Sequence, residues 1–373
     1  MGNMRIKVLF LIHDLGQGGA EKVLVNLVNH MDRTKFDITV IALFGGGINE
    51  RFLNPDIHYH TMFKHMLPGN SKLMKTLSPK ALHKLCVKAC YDIEVSYLEG
   101  PSARIISGCT DNDTKLVSWI HTRFETTQEI YAPFRSKDEA EKCYQRFDYT
   151  TFVSRDVGDT FCQMIPLDKP NGVLYNTIES DKVLALANET ISIDLGNGVI
   201  NLIAVGTLKK VKGYDRLLRI AKQLHEENYQ FHLYILGSGP LEQDYKKIIT
   251  DNRLEQRVSL LGFDSNPYKY ISRCDLFVCS SYTEGFSTAA TEALIVGTPV
   301  CTTEVSGMRE MLGENNEYGI VTENSEDALY KGIKKLLDNP ELLNYYKKQA
   351  EIRGKIFSTE KTAKAVEDML LSL

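Results

Sequence analysis

A single tryptophan stands among 373 residues, and no run approaches the roughly eighteen consecutive apolar residues of a membrane-spanning helix. Charge of either sign is not in excess: 44 Lys and Arg face 48 Asp and Glu, a net −4 at pH 7, so no bulk field draws nucleic acid. None of the eight cysteines stands in a Cys-x-x-Cys pair, which removes zinc-ribbon and thioredoxin-type spacings. Cys279 and Cys301 sit inside apolar runs as small core residues, and all eight are expected as reduced thiols. Met1-Gly-Asn-Met-Arg leads straight into a strand pattern with neither signal peptide nor anchor before it, so the chain is expected in the cytosol.

What is present is alternation. Arg5–Ile12 reads as a buried strand, a Gly-rich turn follows, and Ala20–Met31 has the period of an amphipathic helix. Further strands are expected at 36–43, 93–98, 115–120, 149–153 and 173–175, with helices at 138–145 and 155–164. A polar stretch at 179–198, containing Leu195-Gly-Asn-Gly, reads as an interdomain linker. A second series follows, with strands at 199–205, 231–236, 258–261, 276–279 and 299–302 and helices from Ser325 onward. Such alternation predicts an α/β chain of two doubly wound, Rossmann-like domains, 1–180 and 199–357, each on a mostly parallel sheet. With 43% hydrophobic residues the chain can fill two cores.

Chemistry concentrates in Ser281-Tyr-Thr-Glu-Gly-Phe-Ser-Thr-Ala-Ala-Thr-Glu-Ala-Leu, where an apolar strand ends, Gly285 turns the chain and Ser287–Val296 begins a buried helix. Amides at a helix N-terminus hold anions, and ligands of open α/β sheets lie at the carboxyl ends of strands. Glu284 and Glu292 beside such a site fit a sugar nucleotide, since a carboxylate accepts hydroxyl hydrogen bonds in pairs. Spacing alone leaves open a loop glutamate and a helix-face glutamate with no joint role.

The stretch resembles the Glu-x7-Glu signature of retaining glycosyltransferases of the GT-B fold, family 4. Gly262-Phe-Asp-Ser-Asn-Pro-Tyr, Cys274-Asp-Leu-Phe-Val, Glu284-Gly-Phe-Ser, Glu292-Ala-Leu, Gly297-Thr-Pro-Val and Ser306-Gly-Met-Arg-Glu follow that family in order and at similar spacing. The resemblance implies a GT-B architecture, two domains facing a central cleft, with the last helix, 358–373, returning to the N-terminal domain. It also implies metal-independent transfer of a hexose or N-acetylhexosamine, with retention, from a UDP-linked donor to an acceptor hydroxyl. Similarity to bacterial surface-polysaccharide enzymes implies a lipid-linked glycan acceptor. An epimerase of the same architecture, needing acid/base groups that the sequence does not identify, and a catalytically silent partner subunit are the alternatives.

Site residues follow from both sources. Gly16-Gln-Gly-Gly-Ala-Glu21 lies between first strand and first helix, where glycines let backbone approach a phosphate, although Gly-x-Gly-x-x-Gly is absent; a bare turn is the other reading. Family members carry Gly-Gly-Ala-Glu here, so Gly18 and Gly19 are donor candidates and Glu21 an acceptor candidate. In Gly206-Thr-Leu-Lys-Lys-Val-Lys-Gly213 a lysine can neutralise the leaving diphosphate, and the resemblance selects Lys212. The family's arginine after the first glycine is Thr207 here, which leaves Lys209 or Lys210 as substitutes or Lys212 alone. The resemblance gives Glu284 the donor sugar, Glu292 the ribose, and Gly237, Phe263, Gly285, Phe286, Ser287 and Thr288 donor contacts. It places His121 near the transferred sugar, Asn176 near the acceptor and Ser154 in a similar setting. No metal or other cofactor is expected.

Three further patterns carry weaker readings. Asp111-Asn-Asp113 has the Asp-x-Asp form of a metal-dependent nucleotide-sugar site but lies in a polar turn. His58 and His60 share one strand face with no third ligand nearby. From Thr61 to Tyr91 the chain has six lysines, His65 and His83, and no acidic residue before Tyr91, interleaved with Leu and Met. That stretch reads either as a peripheral contact with anionic membrane or as a solvated helix face.

Overall fold

In a computed structural model describing residues 5–16, 18–64, 74–191, 193, 195 and 198–373, the apolar runs of the sequence become strands of two wholly parallel sheets. The first contains β1 (Ile6–Ile12), β2 (Phe36–Phe44), β3 (His58–Phe63), β4 (Ile93–Ser96), β5 (Lys115–Ile120), β6 (Tyr149–Phe152) and β7 (Asn171–Val173), in the order β3-β2-β1-β4-β5-β6-β7. The second contains β8 (Ile200–Val205), β9 (Phe231–Leu236), β10 (Val258–Gly262), β11 (Leu276–Cys279), β12 (Val300–Thr303) and β13 (Ile320–Thr322), in the order β10-β9-β8-β11-β12-β13. Central strands such as β1 and β11 are almost wholly buried because helices cover both faces, hence their unbroken apolar sequences.

Each sheet belongs to its own unit, Met1–Ile178 with Thr359–Leu373, and Glu179–Ser358. The last helix, Thr359–Leu371, is part of the first unit: Thr359 donates to the Ile178 carbonyl at 2.8 Å, and Glu367 accepts from the Asp32 amide at 2.7 Å. The second unit packs Leu202, Leu217, Leu233, Ile235, Leu276, Leu329 and Ile333 into one core.

Strand order reverses once in each sheet, between β1 and β4 and between β8 and β11. Loops leaving the two strands at a reversal diverge to opposite faces and leave a crevice at the carboxyl ends, where ligands of such sheets bind.

Several expectations change. The stretch expected as linker holds a helix, Ser180–Ala187, that belongs to the second unit; Ser272 and Arg273 both donate to the Ala187 carbonyl. Val183 and Ala187 are buried, so a short apolar face was hidden by polar flanks. Strand β7 ends at Val173, earlier than the expected Tyr175, and the three-residue β13 is too short to show periodicity. Of the basic stretch, residues 65–73 lie outside the described residues. Its described parts are the end of β3 and a helix, Pro79–Cys86, that buries Leu82 and Cys86 while Lys80, Lys84 and Leu85 stay exposed. His58 and His60 are exposed on edge strand β3, with His58 3.4 Å from Asp37.

Candidate active site

In the second unit, Lys212 and Glu284 meet at the β8/β11 reversal. After β8 the chain passes Gly206 into a short 3-10 turn, Lys210–Lys212, then Gly213 in the left-handed region at φ 65°. A side chain at Gly213 would meet the Ser280 carbonyl oxygen at 1.9 Å, so only glycine lets this loop lie against the one leaving β11. The second loop is bound to the first: Ser280 Oγ donates to the Lys212 carbonyl at 2.9 Å and the Tyr282 amide to the Val211 carbonyl at 2.8 Å. Held this way, Lys212 Nζ lies 2.6 Å from Glu284 Oε1, which also accepts from Ser281 Oγ at 2.6 Å. Burial alone would lower the Lys212 pKa, but the adjacent Glu284 carboxylate outweighs it and the net shift is upward. The ammonium therefore stays charged.

Lys212, Glu284 and Ser287 line one small pocket with Val205, Tyr214, Cys279 and Ser281. Ser287 caps the helix Thr288–Ile295, its Oγ accepting from the Ala290 amide at 3.3 Å. The Phe286 side chain is buried 6.0 Å from the Phe357 ring, which leaves its backbone as the part with chemistry to offer. Glu292 is buried one turn into that helix and accepts from Tyr268 Oη at 3.1 Å. Glu292, Gly237, Phe263 and Thr288 are not among the residues of that pocket. Gly237 follows β9, and a Cβ there would meet the Gly206 carbonyl at 2.0 Å, so the turns after β8 and β9 touch backbone to backbone. Phe263, just past β10, is 71% exposed. Lys210, considered above as a substitute for the missing arginine, is instead 2.6 Å from Asp215 and over the Tyr282 ring.

The first unit gathers its candidates around the β1/β4 reversal. Gly18 immediately precedes and Gly19 opens the helix Gly19–His30, with Glu21 in its first turn. Burial raises the Glu21 pKa, with the Asp14 charge adding to it and a backbone hydrogen bond and His13 opposing. His121 follows β5, its amide donating to Glu99 Oε2 at 2.9 Å. Its ring stacks 5.9 Å from Trp119 and 4.9 Å from Tyr97. His121 Nε2, Trp119 Nε1, Tyr97 Oη and Asn176 Oδ1 are all buried without a hydrogen-bond partner among the described residues. Unpaired polar atoms of this kind are costly and mark places where a ligand or water completes the set. Ser154, in contrast, caps the helix Arg155–Met164 by accepting from the Val157 amide at 3.3 Å, which gives it a structural task.

The rival metal patterns gain no ligand set. Asp111 Oδ1 accepts from the Asp113 amide at 3.0 Å, as in an Asx turn. His83, Glu94 and Cys109 bring one ligand atom each within 4.8 Å. His83 Nε2 and Glu94 Oε2 are 2.7 Å apart, a hydrogen bond closer than two tetrahedral ligands of one ion normally stand.

Residues 17–182 match the family model described as Glycosyltransferase Family 4, and residues 193–353 the model described as Glycosyl transferases group 1. Over 378 aligned residues, 98% of this chain and 99% of the relative, the sequence is 30% identical to N-acetylgalactosamine-N,N'-diacetylbacillosaminyl-diphospho-undecaprenol 4-alpha-N-acetylgalactosaminyltransferase of Campylobacter jejuni subsp. jejuni. The chain belongs to glycosyltransferase family 4, with the GT-B fold. An uncharacterized glycosyltransferase of Haemophilus influenzae is 24% identical across 95% of this glycosyltransferase and 97% of its own length. Among solved structures, Anabaena HepE in complex with UDP-glucose superposes with TM-score 0.74 at 20% identity, covering 99% of this chain and 100% of that one.

Sequence reading of this glycosyltransferase missed Arg216, Tyr268, Tyr97 and Trp119. Tyr268 closes the Gly262–Tyr268 motif and was within reach; the others depend on which strands become neighbours.

His121 also predicts a pH effect. Burial depresses its pKa to about 3, so between its ordinary value and about 3 the unfolded chain binds a proton that the folded chain refuses. Stability is therefore lost as pH falls through that window, by about 2 kcal/mol at pH 5 from this residue. Melting curves at pH 7 and pH 5 are expected to converge in His121→Gln relative to the parent; an unchanged pH dependence would contradict the burial of the neutral ring.

Proposed function

We propose that this glycosyltransferase moves a hexose or N-acetylhexosamine from a UDP-linked sugar to a hydroxyl of a lipid-linked glycan, with retention and without a metal ion. The observation carrying this reading is the charged Lys212 beside Glu284 at the β8/β11 reversal, next to the helix N-terminus at Ser287. Two relatives' names support it: the Campylobacter enzyme acts on a diphospho-undecaprenol acceptor, and Anabaena HepE takes UDP and UDP-glucose.

In this reaction the bond from sugar C1 to the β-phosphate oxygen breaks, and its electron pair leaves with the nucleoside diphosphate. The acceptor oxygen bonds to C1 on the same face, and its proton passes to the departing phosphate. No carboxylate nucleophile is required, unlike a retaining glycosidase. Lys212 neutralises charge as it grows on the leaving group, and the amides of Gly285, Phe286 and Ser287 take sugar or phosphate oxygens. Entry of the diphosphate draws Lys212 from Glu284, freeing that carboxylate for the donor sugar's hydroxyls, and Glu292 takes the ribose. Gly237, Phe263 and Thr288 are assigned to the nucleotide side. In the first unit, Gly18 and Gly19 are assigned backbone contacts to phosphate, His121 a sugar hydroxyl, and Glu21 and Asn176 the acceptor.

Incubation with UDP-sugars and a diphospho-polyprenol saccharide tests this directly: mass spectrometry is expected to show the acceptor heavier by one sugar, at undiminished rate in EDTA. Loss of turnover on chelation, restored by Mn²⁺ or Mg²⁺, would contradict metal independence. UDP or altered sugar appearing without acceptor would instead favour an epimerase.

Work on the cytoplasmic face of a membrane is proposed through residues 61–91, where exposed Lys80, Lys84, Lys88, Leu77 and Leu85 combine charge with apolar surface. No helix among the described residues is long and apolar enough to cross a membrane. Salt-sensitive cosedimentation with anionic but not neutral vesicles is the expected result, and equal binding to both would contradict it.

A further inference from the structure

Arg216 lies in the first turn of the helix Tyr214–Glu226, and its side chain is buried. Its guanidinium is spent on the loop after β11. Nε donates to the Ser280 carbonyl at 2.7 Å, one Nη to the Ser281 carbonyl, and the other Nη to Asn324 Oδ1 at 2.8 Å. Its plane lies 4.2 Å over the Tyr282 ring. Asn324 Nδ2 then donates to the Tyr282 carbonyl at 2.9 Å, and Thr303 Oγ1 to the Ser281 carbonyl at 2.8 Å.

Three consecutive carbonyls, 280 to 282, are thus held from below by side chains of three other segments. Two residues further on stands Glu284. A buried guanidinium without a carboxylate in hydrogen-bonding contact is a costly arrangement, tolerated where a fork of donors fixes geometry that a lysine cannot. Neutral stability is served more cheaply by apolar packing, so the use of Arg here points to positioning.

We propose that Arg216, seconded by Asn324, is a positioning residue that sets the height of Glu284 relative to Lys212 and thereby the grip on the transferred sugar, as distinct from the nucleotide. It rests on the reading that Glu284 binds the donor sugar. Lysine at 216 keeps the charge but cannot donate along two directions to adjacent carbonyls, so the loop loosens where the sugar is held.

The experiment compares affinities for UDP and for the UDP-sugar turned over in the transfer assay, by calorimetry, in Arg216→Lys, Glu284→Gln and the double variant. Arg216→Lys is expected to weaken UDP-sugar binding about tenfold and UDP binding less than about twofold, the loss of two hydrogen bonds being of that order. The double variant is expected to be no weaker than Glu284→Gln alone, because both changes remove the same contact. Asn324→Ser, at an exposed position, should show the same selective loss at smaller size, and answers the question if Arg216→Lys does not fold. Equal weakening of UDP and UDP-sugar, or losses that add in the double variant, would overturn the proposal. Unchanged sugar binding in Glu284→Gln, with selective loss in Arg216→Lys, would instead remove Glu284 from the sugar while keeping the loop's role.

Discussion

Lys212→Met is expected to lower kcat/KM for the donor by about two to three orders of magnitude, mostly in kcat, since removal of one preorganised group facing charge that grows in the transition state costs about 2.7–4 kcal/mol. Lys212 is one quarter exposed and pairs with Glu284 at 2.6 Å, and the family arginine that would share the diphosphate is absent at Thr207. No second cation next to it takes over the load, because Lys210 is committed to Asp215. The fold is expected to persist: Glu284 Oε1 keeps Ser281 Oγ as a donor, and the loop keeps its backbone bonds to Val211 and Lys212. Steady-state kinetics at varied donor, together with a melting curve, separate the two effects. Wild-type efficiency with limiting donor would remove Lys212 from the reaction, and a collapse of the melting transition would make its contribution structural.

Glu292 is expected to act on binding. Glu292→Gln should raise donor KM between about tenfold and a hundredfold with little change in kcat, because a charge-assisted hydrogen bond contributes about 1.5–3 kcal/mol. Gln is the informative substitution: it preserves an acceptor for Tyr268 Oη, whereas Ala would leave that hydroxyl without it at a further cost of about 1–3 kcal/mol. A donor lacking one ribose hydroxyl should bind the parent enzyme more weakly and the variant no more weakly than the intact donor does. Equal discrimination by both enzymes would place Glu292 away from the ribose.

The two predictions rest on residues visible in the sequence for a physical reason. Parallel strands covered on both faces appear as short apolar runs, so β1, β2, β5, β9 and β11 could be placed within a residue or two. Loops leaving their carboxyl ends then stood out by glycine and charge, which drew attention to Lys212, Glu284 and Gly18. What stayed hidden depends on neighbours brought from elsewhere in the chain. Nothing local marks Arg216 as the brace of a loop 64 residues away, and Trp119 and Tyr97 look like ordinary core until their unpaired polar atoms appear together. Ser154 shows the converse error: a motif position whose hydroxyl is used to cap a helix. The helix at 180–187 was missed because only Val183 and Ala187 of its apolar residues turn inward.

Retention at the anomeric carbon is the central chemical claim, since it ties Lys212 and a departing phosphate, with no nucleophilic carboxylate, to the same-face attack. Proton NMR of the product made from an α-configured UDP-sugar decides it. An anomeric signal with the small coupling of an α-linkage is the predicted result, and the large diaxial coupling of a β-linkage in a gluco- or galacto-configured product would contradict it.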